Sequence, residues 1–413
     1  MEEGSIRWGC WYGDRDRRLL FPEGWRVRFF PPQGGPDIGE DGIAQAFARP
    51  IGTGLLRDLA RGCRTAVIVV DDLTRPTPAF RLLPFVVREL LAGGLSQDRI
   101  RILLGVAAHH PMNRHQIIRK LGRAAIKDFW IQNHNPYENL ENLGTTSLGT
   151  PVWINRQFLR ADIKIAIGSL LPHGHSGFGG GSKLVLPGVA GIATIEQNHR
   201  GDNGLRRGLN LLDGNQARQD MEEAARMAGL TAIVNVVLNP LREIVGCFVG
   251  DPIEAHRAAA ESARQVYRTS FPKEWDVVIA SAYPKDSEFY QWVNALVPLK
   301  STAEPIVHEQ GTIVVASAGS EGVGVHYLAG PGGPLGYLGN GPRYADDHPG
   351  PEVLLYCPSV NHWDVEQWGW DGRRLYNNWN ELVRHLKQKH GKAARVAIFP
   401  CACQQLLTGD LVA

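Results

Sequence analysis

The 413-residue chain has few means of covalent cross-linking: six cysteines, at 10, 63, 247, 357, 401 and 403, with no C-x-x-C pair among them. Thiols scattered this thinly do not make a disulfide framework, so a reduced, cytoplasmic protein is expected. Cys401 and Cys403 flank Ala402 and should alternate across the two faces of a terminal strand. Long apolar runs are also missing. TAVIVV at 65–70 is among the longest, far short of the ~20 residues that cross a bilayer. The opening MEEGSIRWGCWYGDRD puts acidic residues where a signal peptide carries basic ones, and no apolar segment follows it. No membrane partner is expected. Neither sign of charge is in excess: the formal balance is +2, and no lysine/arginine run suits a phosphate backbone, which argues against nucleic acid.

Familiar nucleotide and zinc motifs are absent too. The glycine-rich stretch PHGHSGFGGGSKLVLPG, 172–188, ends in Ser182-Lys183-Leu184, so the hydroxyl that follows the lysine in a Walker A loop is missing. Gly177 and Gly179 fit the first two places of G-x-G-x-x-G, but Ser182 holds the last. HEXXH does not occur, and His173-x-His175 alone is a weak metal signal. What is present is a run of small residues, Gly179, Gly180, Gly181 and Ser182, leading into one lysine. Such a run either lets backbone amides approach an anion or makes a tight turn. His109, His173 and His199 each lie beside a glycine- or proline-marked loop end.

Short β-branched runs alternate with helical patterns. Strands are expected at 65–72, 99–108, 129–135, 162–171, 231–239, 275–284, 311–319, 352–360 and 394–402. Helices are expected at 79–94, 114–122, 254–269, 288–297 and 376–391. This alternation predicts an α/β protein of two α/β/α domains with mainly parallel sheets. TSFPKEWD, 269–276, reads as the boundary: residues 1–272 form an N-terminal cofactor-binding domain, and 273–403 a C-terminal domain that contributes to the substrate site. The segment 404–413 is allowed to return to the first domain. The Gly- and Pro-rich 329–342 reads as a surface loop or lid. In open α/β sheets ligands sit beyond the carboxyl ends of strands. Asp71, Asp72, Thr74 and Arg75 follow the first of these strands, His109 and His110 the second, and His173 with the glycine run follows 162–171.

Taken together, DDLTRPTP (71–78), GVAAHHPM (105–112), the 172–188 stretch, IEQNH (195–199) and SAYPKDSEFYQ (281–291) resemble the nickel-pincer nucleotide-dependent lactate racemase family, in order and spacing over nearly the whole chain. The resemblance implies an active site in the cleft between two α/β domains. It also implies a pyridinium mononucleotide, covalently attached through a thioamide to Lys183, whose two sulfur groups and one ring carbon grip nickel. His199 would be the protein's nickel ligand, His109 and His173 the acid/base pair, and Asp72, Thr74 and the run 179–182 further cofactor contacts. Arg75 would meet the substrate carboxylate. The partners implied are a small hydroxyacid and the proteins that build the cofactor. Inverting a carbon that bears hydroxyl and hydrogen by reversible hydride transfer needs one base per hand, and imidazole titrates near neutrality.

One departure bears on substrate. Lactate-active members read Tyr-Gln-x-x-Lys, whereas here the run is Tyr290, Gln291, Trp292, Val293, Asn294, with Lys285 nearby at a different spacing. His175 and Ser176 are also more polar than expected. An amide in place of a cation points away from lactate, toward another 2-hydroxy acid or a sugar acid, by racemisation or C2 epimerisation. SVNHWDVEQWGWDG, 359–372, offers three tryptophans as core or as pocket wall. Two alternatives are a nicotinamide-dependent dehydrogenase, which would need the dinucleotide fingerprint that is absent, and a member of the family that binds nucleotide without catalysis.

Overall fold

The computed structural model describes residues 2–336 and 350–408. The chain divides into two compact units, one comprising Gly35–Val266 with His326–Leu328, the other Met1–Gly34, Tyr267–Val325 and Ala329–Ala413.

The Gly35–Val266 unit is built on a six-stranded sheet in the order Ile244–Gly250, Ala232–Leu238, Ile163–Ser169, Ala66–Asp71, Ile100–Gly105, Trp130–Asn133. The first pair is antiparallel and the rest are parallel. Every residue of Ala66–Asp71, Ile163–Ser169 and Ala232–Leu238 is buried, as expected of strands covered on both faces and written in valine, isoleucine and leucine. Chain order runs outward in one direction from Ala66–Asp71 and then resumes on its other side at Ile163–Ser169. That reversal is the switch point at which α/β sheets bind ligands, and the loops bearing Asp72 and His173 leave the sheet there. The helix Arg114–Leu121 starts on a reciprocal capping box between Asn113 and Gln116.

The other unit has a wholly parallel six-stranded sheet in the order Leu375–Tyr376, Glu352–Tyr356, Val307–Ala316, Trp275–Ser281, Arg395–Phe399, Arg26–Phe29. One face is covered by Phe271, Trp275, Phe289, Trp292, Leu296 and their neighbours. The opposite face is covered by Ile6, Trp8, Leu19, Phe21 and Trp25, mostly from the antiparallel hairpin Glu2–Trp8/Arg15–Phe21, together with Trp379, Leu382 and Leu386 of the helix Trp379–His390.

The expected strands and helices appear close to their predicted positions, but three expectations are corrected. Residues 1–34 do not join the unit that follows them: Arg26–Phe29 is the edge strand beside Arg395–Phe399. A four-residue strand whose partner lies at the far end of the chain leaves no local signature. Residues 404–408 do not return to the first unit either, because Leu406–Thr408 pairs in parallel with Arg268–Ser270. Cys401 and Cys403 do not alternate on a strand, since the strand ends at Phe399 and a tight turn over Ala402–Gln404 buries both thiols. Of the loop 329–342, residues 337–342 lie outside the described residues, as do 409–413.

Trp25 is 2% exposed, packs against Phe21 and donates from Nε1 to the Gly391 carbonyl at 3.2 Å. Trp25→Ala should therefore cost the second unit about 3–5 kcal/mol, lowering its own transition in scanning calorimetry while leaving that of Gly35–Val266 in place. An unmoved transition would detach residues 1–34 from this core.

Candidate active site

The strand Ala66–Asp71 delivers two consecutive carboxylates, Asp71 and Asp72, both buried. Lys120, fully buried on the helix Arg114–Leu121, pairs with Asp71 at 2.5 Å and donates to the carbonyls of Asp72 at 2.8 Å and Arg75 at 2.9 Å. Burial pushes the Asp71 carboxyl up and the Lys120 ammonium down, against their mutual attraction. Thr77 adds a hydroxyl to Asp71.

Asp72 accepts from the Thr74 amide at 2.7 Å and lies 2.6 Å from His109 Nδ1. Burial works against its charge, but His109 beside it, with Arg75 and Thr74, holds its carboxyl well below the usual range. An ionised Asp72 makes His109 Nδ1 the hydrogen-bond donor, so in the neutral ring the lone pair sits on Nε2. Arg75 is half-buried, and its guanidinium donates to Thr74 Oγ1 at 2.7 Å.

The glycine run is pinned from behind. Arg218, 2% exposed, donates to the carbonyls of Phe178 at 2.9 Å, Gly179 at 3.4 Å and Gly180 at 3.3 Å. Asn235 Oδ1 accepts from the Gly181 amide at 2.8 Å. Gly180 and Gly181 adopt φ of +69° and +60°, and a Cβ there would meet Asn235 Oδ1 at 2.8 Å and the His256 ring at 2.7 Å. Glycine is required at both by left-handed backbone and by close approach. The amides of Gly179, Gly181 and Lys183 donate to the protein's own oxygens, so a bound anion would have to use other donors of the loop. Ser182 supplies one: among the described residues its Oγ is buried without a hydrogen-bond partner. Lys183 is 9% exposed in the turn Gly181–Leu184.

His199 closes the helix Ile192–His199. Its Nδ1 donates to the Ile195 carbonyl at 3.1 Å and its ring stacks on His175 with centroids 4.4 Å apart. Burial, then His175, Lys183 and His326, keep its pKa well below the normal histidine value. The result is a neutral imidazole with its lone pair on Nε2, the form that ligates metals. His175 donates from Nε2 to Asn198 Oδ1 at 3.0 Å and accepts from Arg207 at 3.3 Å, and burial with Lys183 pushes it down to about 3. His175 thus serves as a fixed aromatic plate against His199. His173, on the short hairpin Pro172–His173/Ser176–Phe178, accepts at Nδ1 from the amides of His175 at 3.2 Å and Ser176 at 3.4 Å. Its neutral ring therefore carries the proton on Nε2.

Two residues escaped the sequence reading. Lys120 had a signal, because two adjacent aspartates after a buried strand demand a cation. His326 had none: it stands far along the chain, yet it bridges His109 in the backbone and meets its ring edge-on at 5.1 Å. Burial, then His109 and Arg75, keep His326 well below the normal histidine value.

In the other unit, Lys285, Tyr290, Gln291 and Asn294 form a polar row. Lys285, 1% exposed, donates to Asn294 Oδ1 at 3.2 Å; Asn294 donates to Gln291 Oε1 at 2.8 Å; Gln291 donates to the Tyr290 hydroxyl at 2.5 Å. Tyr290 stacks on Trp368 at 5.0 Å, and Trp368 on Trp370 at 5.3 Å. Of the three tryptophans in the 359–372 segment, these two pack inward, whereas Trp363 is 69% exposed. Lys285 therefore lies beside the amide that ends the Tyr290–Asn294 run.

Lys120→Met should cost about 3–5 kcal/mol, because it leaves Asp71 charged and unpaired in the interior. Adding Asp71→Asn should return most of that loss in urea unfolding. A single variant as stable as the parent would show that the pair is not what neutralises this strand end.

The sequence profile of the lactate racemase N-terminal domain matches residues 12–205. A lactate racemase of Thermoanaerobacterium thermosaccharolyticum is 32% identical over 292 residues, covering 69% of this chain and 67% of that protein. A lactate racemase of Lactiplantibacillus plantarum is 32% identical over 293 residues with the same two coverages. The structure of the lactate racemase apoprotein from T. thermosaccharolyticum superposes with a TM-score of 0.75 at 22% identity, covering 98% of this chain and 100% of that one. A Thermotoga maritima protein superposes with a TM-score of 0.64 at 16% identity, covering 91% and 100%. The solved structures establish the mixed α/β fold and the curated relatives establish the kinship: the chain belongs to the lactate racemase family and is an isomerase of the racemase type.

Proposed function

We propose that the chain inverts C2 of a 2-hydroxy acid, other than lactate by preference, using a nickel-pincer nucleotide held by Lys183 and His199. The observation that carries this reading is the neutral His199 ring, its Nδ1 bound to a backbone carbonyl and its Nε2 lone pair available, in one cluster with the buried Lys183. The residues fit such a group. The partnerless Ser182 hydroxyl and the glycine loop suit a phosphate, Lys183 suits a covalent tether, and imidazole suits nickel. When bound, the group supplies a ring carbon that accepts and returns the C2 hydrogen as hydride.

The chain's own residues manage the proton. As C2 loses hydride the substrate hydroxyl must lose H⁺, and His109 takes it at Nε2 while Asp72 stabilises the imidazolium at Nδ1. When hydride returns to the other face of the resulting ketone, the alkoxide needs a proton. The His109 imidazolium returns it, while His173, whose Nδ1 accepts backbone amides, donates a hydrogen bond from Nε2 to that oxygen and keeps its proton. The two imidazoles are thus set with opposite polarity, an acceptor and a donor, and the proton taken from the hydroxyl is back on it at the end of each turnover. Arg75 offers a planar fork for the carboxylate. Taken by itself, the other unit's row of Asn294, Gln291 and Tyr290 beside the buried Lys285 is a set of amide and phenol groups, which recognises hydroxyl groups better than a methyl group.

The test uses protein made alongside the cofactor-building enzymes. The peptide containing Lys183 should carry a nickel-bearing mass adduct, and His109→Ala should lower kcat by roughly 10²–10⁴-fold. In a panel of enantiopure 2-hydroxy acids, polyhydroxylated substrates should exceed lactate in kcat/KM. Lactate as the best substrate would refute the substrate class, and full turnover by Lys183→Ala without metal would refute the chemistry.

A further inference from the structure

The His175 ring, stacked on His199, is held by a run of hydrogen bonds that starts on another helix. Its origin is Asp220, fully buried on the helix Gln216–Met227. Asp220 accepts from the hydroxyls of Thr146 at 2.5 Å and Thr150 at 2.7 Å, which bracket the turn between the strands Leu140–Thr145 and Pro151–Asn155. It also accepts from Asn198 Nδ2 at 2.7 Å, and the same nitrogen donates to the Ala217 carbonyl at 3.3 Å. Asn198, fully buried one residue before His199, presents its Oδ1 to His175 Nε2 at 3.0 Å. On the other side of the ring, Arg207 donates to His175 Nδ1 at 3.3 Å. Arg207 ends the run on the helix that bears His199, donating to the carbonyls of His199 at 3.4 Å and Arg200 at 3.0 Å.

The direction of each bond at the ring is fixed from both sides. The Ala217 carbonyl only accepts, so the amide nitrogen of Asn198 must face the helix Gln216–Met227 and its oxygen must face His175. That oxygen requires a proton on His175 Nε2. A guanidinium only donates, so Arg207 requires a lone pair on Nδ1. Both demands select one tautomer, and flipping the ring or moving its proton breaks both bonds. His175 in turn touches two of the assigned imidazoles: its amide donates to His173 Nδ1 at 3.2 Å, and its ring lies on His199 with the planes inclined by 18°. His199 is thus placed by the Ile195 carbonyl at its Nδ1 and by the His175 face beside it.

We propose that Asn198, anchored on Asp220, is a positioning residue for the imidazole assigned to the metal: by locking His175 at Nε2 it fixes the face against which His199 keeps its plane. The inference rests on the role given to His199 above and deepens it, since groups beyond a metal's ligands set the orientation in which a ligand meets the ion. Asn198 acts through the His175 ring and not through the fold of the helix, so its effect requires that ring to be present.

Cofactor-free protein labelled with ¹⁵N-histidine tests this without any activity. In two-bond ¹H–¹⁵N spectra at neutral pH, His175 should carry its proton on Nε2 and His199 on Nδ1, the signals assigned by their loss in His175→Ala and His199→Gln. A His175 proton on Nδ1 would overturn the proposal in the unsubstituted chain, however the variants fold. In Asn198→Ala the His199 Nδ1–H resonance should broaden or vanish. It should do the same in His175→Ala, which keeps the amide used by His173 and removes only the ring. In cofactor-loaded protein each substitution should lower kcat about ten- to hundred-fold. The double variant should match His175→Ala alone to within about twofold, because residues acting through one contact are not additive. Losses that multiply in the double variant would overturn the proposal, as would a His199 resonance left sharp in Asn198→Ala. A chain that racemises no substrate would overturn the functional reading and leave this inference to be decided by the resonances.

Discussion

Two adjacent carboxylates at the end of a fully buried strand cannot remain ionised without partners, because the desolvation of each charge outweighs anything a neutral neighbour returns. Asp71 and Asp72 meet that demand with different partners on different elements: the Lys120 ammonium from the helix Arg114–Leu121 and the His109 ring from the loop after the next strand. Much of the local architecture follows. Lys120 also binds the carbonyls of Asp72 and Arg75, so the ammonium that neutralises one aspartate shapes the turn presenting the arginine. Asp72, in taking that partner, sets the tautomer of the imidazole that would handle the substrate's proton. Electrostatic compensation and catalytic preparation are here one set of contacts.

The loop after Ile163–Ser169 solves the complementary problem of making room. Arg218 and Asn235 hold its carbonyls and one amide from behind, so the loop is rigid without side chains of its own. Its glycines are enforced by the protein at their back, where Asn235 and His256 press against the chain. The same turn carries the buried hydroxyl of Ser182 and the buried side chain of Lys183. Beside it, the His175 plate and the Ile195 carbonyl hold His199 neutral and oriented.

The other unit carries a polar row of its own. Asn294 is an amide in this row, and a lysine stands next to it. Lys285 reaches Asn294 from the preceding loop and is buried behind it. The row ends at Tyr290, stacked upon Trp368 and through it upon Trp370, so a polar edge is mounted on an aromatic core. Trp368 and Trp370 thus take the core role offered for their segment.

Much of this was legible beforehand for physical reasons that can be named. Continuous Val/Ile/Leu runs mark strands buried on both faces, their alternation with amphipathic helices marks a parallel sheet, and acidic, imidazole and glycine residues just past three of these strands mark the ligand edge. Those signals are local, and the chain alone determined the α/β class and the strand ends at which Asp72, Arg75, His109 and His173 stand. Tertiary structure decided what depends on partners remote in sequence. Arg26–Phe29 is a strand only because Arg395–Phe399 pairs with it, and residues 1–34 take their place accordingly. Lys285 is a neighbour of Asn294 only through a turn that spacing does not disclose. His326 meets His109 only because a segment remote in sequence is bridged to the His109 loop. Sequence patterns report which surfaces of an element must be buried; they carry no record of which distant segment will bury them, and that choice is made by packing and hydrogen bonding in the folded chain.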